Sequence, residues 1–373
     1  MSANDTVSGT RAQHTERPSL LRRLAAALSF RNISAVYILA ALFVIYSLWV
    51  PDTFLTVPVW RALIDSSALT ALAAVGLVLP LAAGAFDLAI GAEVGMGAIV
   101  VAWLLSEHHT PILASFVITI VVGAFIGVVS GLLVTVARID PFIATLGMSS
   151  VLLAVIAWLS GGQQLVNLGG SFQRVATDQL LGLTYPVWIL IIVGLGVWYV
   201  LDRTAVGRRI YATGGNAASA RLAGVRTAVI VVATLAACGA IAGLSGALVS
   251  SQLATGDPTI GPAYLLPAYA SVFLGSTQFR GGRYNVWGTI LAVYVLAIGV
   301  KGLQLGGAPV WIPDLFNGLA LLLAVGLARF QRKTTRSEAV RRTLRRTPKV
   351  DPSLAVVSEP IPPVASALRQ ELS

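Results

Sequence analysis

Ten long apolar stretches, separated by short polar breaks, dominate the chain. They fall at roughly 33–50, 66–84, 88–105, 112–136, 143–160, 187–201, 228–248, 263–276, 285–305 and 312–330. Most approach the about 20 residues that a helix needs to cross hydrocarbon. The eighth is short, which predicts a tilted, broken or re-entrant segment. The pattern therefore predicts an all-α integral membrane protein with about ten transmembrane helices.

Composition narrows the class further. Of 373 residues, 56% are apolar and only 11% are charged, and the mean hydropathy is +0.81. An ordinary soluble domain carries about 25% charged residues. A core of this length cannot hide so much apolar surface behind so little polar skin. Soluble enzyme, disordered and collagen-like classes are excluded.

The net charge of +10 is concentrated at the ends: residues 1–32 carry +3 and residues 331–373 carry +5. Such tails suit anionic lipid on a cytoplasmic face and do not form the clustered groove that nucleic acid requires. With the N-terminus inside, ten spans return the C-terminus inside, and 23 of the 26 basic residues fall on the cytoplasmic side. This is the asymmetry of the positive-inside rule. The chain divides into a cytoplasmic basic tail (1–32), a transmembrane body (33–330) and a basic, Pro-rich disordered tail (331–373). Leu20, Leu21, Leu24, Ala27 and Leu28 share one helical face, which suits either an interfacial helix or the start of the first span. The Gly- and Gln-rich insert at 161–186 predicts a compact external loop.

Candidate chemistry is sparse. The three lysines follow Val300, Arg332 and Pro348, so no Gly-Lys phosphate loop exists. The intramembrane ionisable residues are chiefly Asp87 and Glu93, and the three histidines lie in the tail or an outer loop. No catalytic nucleophile–base pair and no metal-ligand pair at helical spacing stand out. Cys238 is the single cysteine and reads as a small buried hydrophobe. No bound cofactor is expected. A pump built from this chain would draw its energy from a partner.

Four segments break the apolar pattern. In AAGAFDLAIGAEVG (82–95), a carboxylate sits among glycines. It reads either as a discontinuous helix lining a substrate pathway through Phe86, Asp87, Gly91 and Glu93, or as an inner turn in which Asp87 caps the next helix. In ARIDPFIATLG (137–147), Asp140-Pro141 predicts a helix start. In GRRIYATGGNAASARLAGV (207–225), Gly214 and Gly215 supply permissive backbone, Asn216 caps about two turns of helix, and Gly224 stops it. That loop, with Gly207, Ala220, Arg221 and Leu222, reads as a docking element or as a plain connector. In LGSTQFRGGRYNVWGT (274–289), Arg280, Gly281, Gly282 and Arg283 form a tight basic inner turn. A short echo also links LAAGAFDLAIG (81–91) with LATGDPTIG (253–261), which suits an inverted repeat.

These segments resemble the permease subunits of monosaccharide ABC importers, the ribose-permease-like carbohydrate uptake family 2. Gly84–Gly91 loosely matches that family's GGIDLSVG-like signature, and Asp140–Gly147 closely matches its PPFIATLG-like segment. Its AxGGNxxAARLSGI-like loop reappears at Ala212–Asn216 and Ala220–Val225, and its LGGTSLSGGRGSVxGT-like turn at Leu274–Thr277, Gly281–Arg283 and Gly288–Thr289. The matches keep their order across about residues 35–330. Ala217, Ala218 and Ser219 stand where acidic residues often follow the family's GGN, and Phe86 and Ala89 depart from its Asp motif.

The resemblance implies a multi-pass protein of the bacterial inner membrane that imports a monosaccharide or similar polyol by alternating access. It implies a second permease copy or homologue, a cytoplasmic ABC ATPase that uses the ATP, and an extracytoplasmic sugar-binding protein. It makes 214–225 the ATPase-coupling element and the Asp87 segment part of the pathway. The alternatives are a permease for an amino acid, urea or nucleoside, and a stand-alone channel or secondary carrier.

Overall fold

The structure, a computed structural model, describes residues 34–278 and 282–326. The two tails, the leucine face at 20–28, and Arg280 and Gly281 of the basic turn lie outside the described residues. The helices are α1 (Ser34–Trp49), α2 (Pro51–Phe54), α3 (Val57–Ala82), α4 (Ile90–Ser106), α5 (Ile112–Thr135), α6 (Pro141–Ser160) and α7 (Gly170–Thr177). A two-stranded hairpin, β1 (Gln179–Leu180) and β2 (Leu183–Thr184), leads into α8 (Tyr185–Arg203). Then follow α9 (Ala205–Gly215), α10 (Ala217–Leu222), α11 (Thr227–Leu253), α12 (Pro262–Gln278), α13 (Val286–Leu305) and α14 (Ile312–Gly326).

Each of the ten apolar stretches becomes a helix. Six of them, α3, α5, α6, α8, α11 and α13, are long and apolar enough to cross a bilayer, and α1, α4 and α14 are shorter apolar helices. The protein is an all-α, multi-pass membrane protein. The short eighth stretch is α12, which holds Pro267 in its interior.

Two helices outrun their apolar stretches. α3 begins at Val57, with a proline in its first turn, and runs through Arg61, Asp65 and Ser66 before the apolar residues start. α11 continues past Leu248 to Leu253. In both places the helix persists through polar residues because Asp65, Ser66 and Gln252 face a cavity rather than a chain break. The insert at 161–186 holds α7 and the hairpin. Phe172 of α7 is fully buried, and Ser251 Oγ donates a 2.6 Å hydrogen bond to its carbonyl.

α3 forms the centre: from Ala71 to Ala82 every residue is buried, with α8, α11, α12 and α13 packed around it. α5 packs along α11 through Gly123, Gly127 and Gly131, spaced by four. A Cβ on Gly127 would collide with the Leu235 carbonyl, so only glycine permits this approach of two backbones. Close packing of small residues is how helices associate where lipid offers no hydrophobic drive. The outer faces stay apolar, with Leu113, Val121 and Phe125 on α5 and Val151 and Trp158 on α6 all exposed.

Two of the connections between helices, 83–89 between α3 and α4 and 254–261 between α11 and α12, share a pattern. The echo between these stretches is structural. In DLAIG, Asp87 Oδ1 accepts from the Ala89 N–H at 3.2 Å; in DPTIG, Asp257 Oδ1 accepts from the Thr259 N–H at 2.8 Å. The glycines that close the two motifs touch, since a Cβ on Gly91 would stand 3.0 Å from the Gly261 carbonyl oxygen.

Candidate functional site

The 83–89 segment is a largely buried connection between α3 and α4, two helices that run in opposite directions along α11. Ala83, Ala85, Asp87 and Ala89 are all buried, Leu88 is half-buried, and Gly84 and Phe86 are exposed, Phe86 at 41%. The connection is held by its neighbours. Asp87 N–H donates to the Tyr269 hydroxyl of α12 at 3.0 Å, and Leu88 N–H donates to Thr145 Oγ1 of α6 at 3.0 Å. Thr145 itself donates to the Pro141 carbonyl at 2.8 Å. It lies in the helix that Asp140 starts, by accepting from the Phe142 N–H at 2.9 Å. Buried backbone groups need such partners.

Asp87 does not cap the first turn of α4 directly. Its Oδ1 accepts from the Ala89 N–H, and its Oδ2 has no hydrogen-bond partner. Glu93, one turn into α4, is 1% exposed, and neither of its carboxyl oxygens has a partner. Cys238 of α11 completes the group, with one ligand atom from each of the three residues within 4.8 Å of the others. Among the described residues these are the one His/Cys/Asp/Glu set spaced to hold a metal ion. Such a group can share a proton or surround a cation. The sequence pointed to Asp87 and Glu93, and the fold adds Cys238 from 145 positions away in the chain.

The 207–225 segment contains more helix than its sequence suggests. Gly207 lies in the first turn of α9, whose cap is Thr204. Gly214 and Gly215 occupy the last turn of α9. Gly214 is needed for contact, since a Cβ there would collide with the Ala82 carbonyl at the end of α3. Asn216 starts α10 by accepting from the Ser219 N–H at 3.0 Å, and Gly224 ends it with a φ of +81°. Ala220 is buried, Arg221 Nε donates to Thr227 Oγ1 at 2.7 Å, and Leu222 is 91% exposed. Nearby, the Arg283 guanidinium lies 4.4 Å from the ring centroid of Tyr211, and Gly282 adopts a φ of +90°. The 83–89 segment and the 207–225 segment thus come together at one end of the helical body.

At the opposite end, a cavity of about 620 Å³ opens between α3, α11, α12, α13 and α14. Asp65, Gln252, Tyr264, Lys301, Gln304 and Asn317 line it, and Phe86, Asp87, Gly91 and Glu93 do not. Sequence reasoning did not group these polar residues. Their one signal was that Tyr264, Lys301, Gln304 and Asn317 are polar positions within apolar stretches, while Asp65 and Gln252 lie just beyond the ends of theirs.

The model of the family described as "Branched-chain amino acid transport system / permease component" matches residues 61–325, most of the membrane body and all four interrupting segments. The chain belongs to this permease family. It is 33% identical over 268 residues to the ribose import permease protein of Escherichia coli strain K12, covering 70% of this chain and 83% of that one. It is 31% identical over 269 residues to the ribose import permease protein of Bacillus subtilis strain 168, covering 72% and 83%. It is 26% identical over 303 residues to the D-allose transport system permease protein of Escherichia coli strain K12, covering 81% and 93%. No solved structure matches. The resemblance to monosaccharide ABC importer permeases is thereby established, and the chain is a transporter component of that type.

Proposed function

We propose that this protein is the membrane-spanning subunit of an ABC importer that carries a monosaccharide or similar polyol inward by alternating access. A separate cytoplasmic ATPase binds and hydrolyses the ATP, an extracytoplasmic binding protein delivers the sugar, and a second permease copy or homologue completes the pathway in the bacterial inner membrane. α9 and α10 are the coupling element, and the Asp87 segment is the part of the pathway that responds to it.

The observation that carries this reading is the seating of α9 on that segment. Gly214 meets Ala82 at the end of α3, five residues before Asp87. A push on α9 therefore reaches unwound backbone, which changes its dihedral angles at lower cost than a helix does. Sugar relatives that align over most of the chain support the class of solute.

The test is reconstitution. The permease, co-purified with its ATPase and supplied with its binding protein, is expected to drive ATP-dependent uptake of D-ribose, D-allose or L-arabinose into proteoliposomes. Uptake by the permease alone, without an ATPase, would overturn the reading.

A further inference from the structure

We propose that the cavity between α3, α11, α12, α13 and α14 is the receiving site for a neutral polyhydroxylated solute, with Lys301, Gln304, Gln252 and Asn317 as its hydrogen-bonding groups. This rests on the sugar-importer reading and assigns the solute a place on this chain.

Four observations lead there. The first is hydrogen-bond accounting. Elsewhere in the body, several polar side chains are satisfied by the backbone, although the Glu93 carboxyl is not: Ser245 Oγ donates to the Leu69 carbonyl, Ser251 Oγ to the Phe172 carbonyl and Thr119 Oγ1 to the Ser115 carbonyl. In the cavity, the side chains of Lys301, Gln304, Gln252, Asn317 and Tyr264 make no hydrogen bond or ion pair among the described residues. Asn317 is only 8% exposed. Lys301, Gln252 and Tyr264 are half-buried and Gln304 is exposed, so polar groups from four helices converge on one cavity with their hydrogen-bonding capacity open to whatever enters.

The second is the kind of group. Three amides, each both donor and acceptor, together with a phenol, match sugar hydroxyls, which also both donate and accept. Leu63, Ile260, Pro267, Val293, Leu296 and Val300 supply apolar wall for the C–H faces of a ring.

The third is charge. The cavity holds one acid and one base, Asp65 and Lys301. Asp65 Oδ1 already accepts a 2.7 Å hydrogen bond from Thr184 Oγ1 of β2. One charge of each sign leaves no net field to favour an anionic solute, so Lys301 acts as a hydroxyl donor.

The fourth is position. The cavity lies at the end away from α9 and α10, and α12 joins the two regions. Tyr264, Pro267 and Ser271 of α12 line the cavity, while Tyr269 of the same helix holds the Asp87 backbone. Its volume of about 620 Å³ falls within the roughly 300–1,000 Å³ of small-molecule sites.

The experiment uses the reconstituted complex with its ATPase and binding protein. Cys238, the single cysteine, is fully buried, so a cysteine placed at Gln304 or Lys301 reports alone. A membrane-impermeant methanethiosulfonate is expected to label Gln304→Cys and Lys301→Cys from the binding-protein side. The transported sugar, drawn from D-ribose, D-allose and L-arabinose, should slow that labelling about fivefold or more, and D-gluconate should not. Lys301→Met should lower uptake about tenfold, the loss expected for a charge-assisted hydrogen bond, while Leu322→Ala on the exposed face of α14 leaves it unchanged. Uptake of a sugar without any change in labelling overturns the cavity assignment alone, and so does failure of the reagent to reach either cysteine. Stronger protection by D-gluconate overturns the neutral-solute assignment. If the wild-type complex carries none of the three sugars, the sugar-importer reading fails and takes this site with it.

Discussion

Gly84 and Gly214 meet backbone to backbone: a Cβ on Gly84 would stand 3.1 Å from the Gly214 Cα. Gly84 lies in the connection between α3 and α4 and has a φ of +84°, and Gly214 ends α9. The contact joins two segments 130 positions apart, each singled out by its own sequence pattern.

Replacing Gly214 by alanine tests that joint. The added Cβ collides with the Ala82 carbonyl, and neither backbone can move without the other. Overpacking of this kind costs about 1–3 kcal/mol. The variant should insert and bind its ATPase, while sugar uptake per ATP hydrolysed falls about tenfold. Gly215→Ala is the control, because open space surrounds that position. Equal coupling ratios for the two variants would remove the joint from the mechanism.

Glu93 offers a prediction with the opposite sign. Its carboxyl is buried with both oxygens unpartnered, an arrangement that costs about 1–3 kcal/mol even for a neutral polar group. Glu93→Leu should therefore raise the thermal unfolding temperature of the purified permease in detergent. A lower Tm would show that the carboxyl has a stabilising partner, such as a bound cation. Loss of uptake together with a raised Tm would place Glu93 in transport.

Leu222 on α10 is 91% exposed and supports nothing inside the fold. Leu222→Asp should leave Tm within about 1 °C of wild type, as surface changes usually do. In a pull-down it should weaken retention of the ATPase about tenfold, since a charge cannot enter an apolar contact without loss. Arg221→Ala differs, because it removes the 2.7 Å bond to Thr227 and loosens α10 from the start of α11. Undiminished ATPase retention by Leu222→Asp would move the docking surface elsewhere.

Gly127→Leu probes the body of the protein. A side chain there must push α5 off α11 at the Leu235 carbonyl. The expected result is a Tm several degrees lower, corresponding to about 1–3 kcal/mol or more. Gly147→Leu on α6, where a Cβ meets nothing within 4 Å, should leave Tm unchanged. Matching melting curves for the two variants would contradict the close approach of α5 and α11.

The membrane class, the ten helical stretches and the caps at Asp140, Asn216 and Gly224 were legible in the chain, because each depends on neighbours within a few residues. So was the interruption of the helices around Asp87, since a carboxylate among glycines in an apolar run is conspicuous wherever it folds. Three things were not legible. Gly214 read as permissive backbone and is a contact, because its partner Ala82 is far away in sequence. Cys238 looked inert and lies beside two buried carboxyls. The cavity residues Gln252, Lys301, Gln304 and Asn317 are isolated polar positions on three helices.

By itself, then, the sequence determined the all-α membrane class, the order of the apolar helices and several of their caps, and the family to which the chain belongs. Hydropathy, capping and short motifs act over a few residues, and a linear pattern records them. The tertiary structure decided which helices touch and which polar groups are left without partners. Those outcomes depend on glycine-to-backbone contacts of a few ångströms between distant segments, which local spacing does not encode.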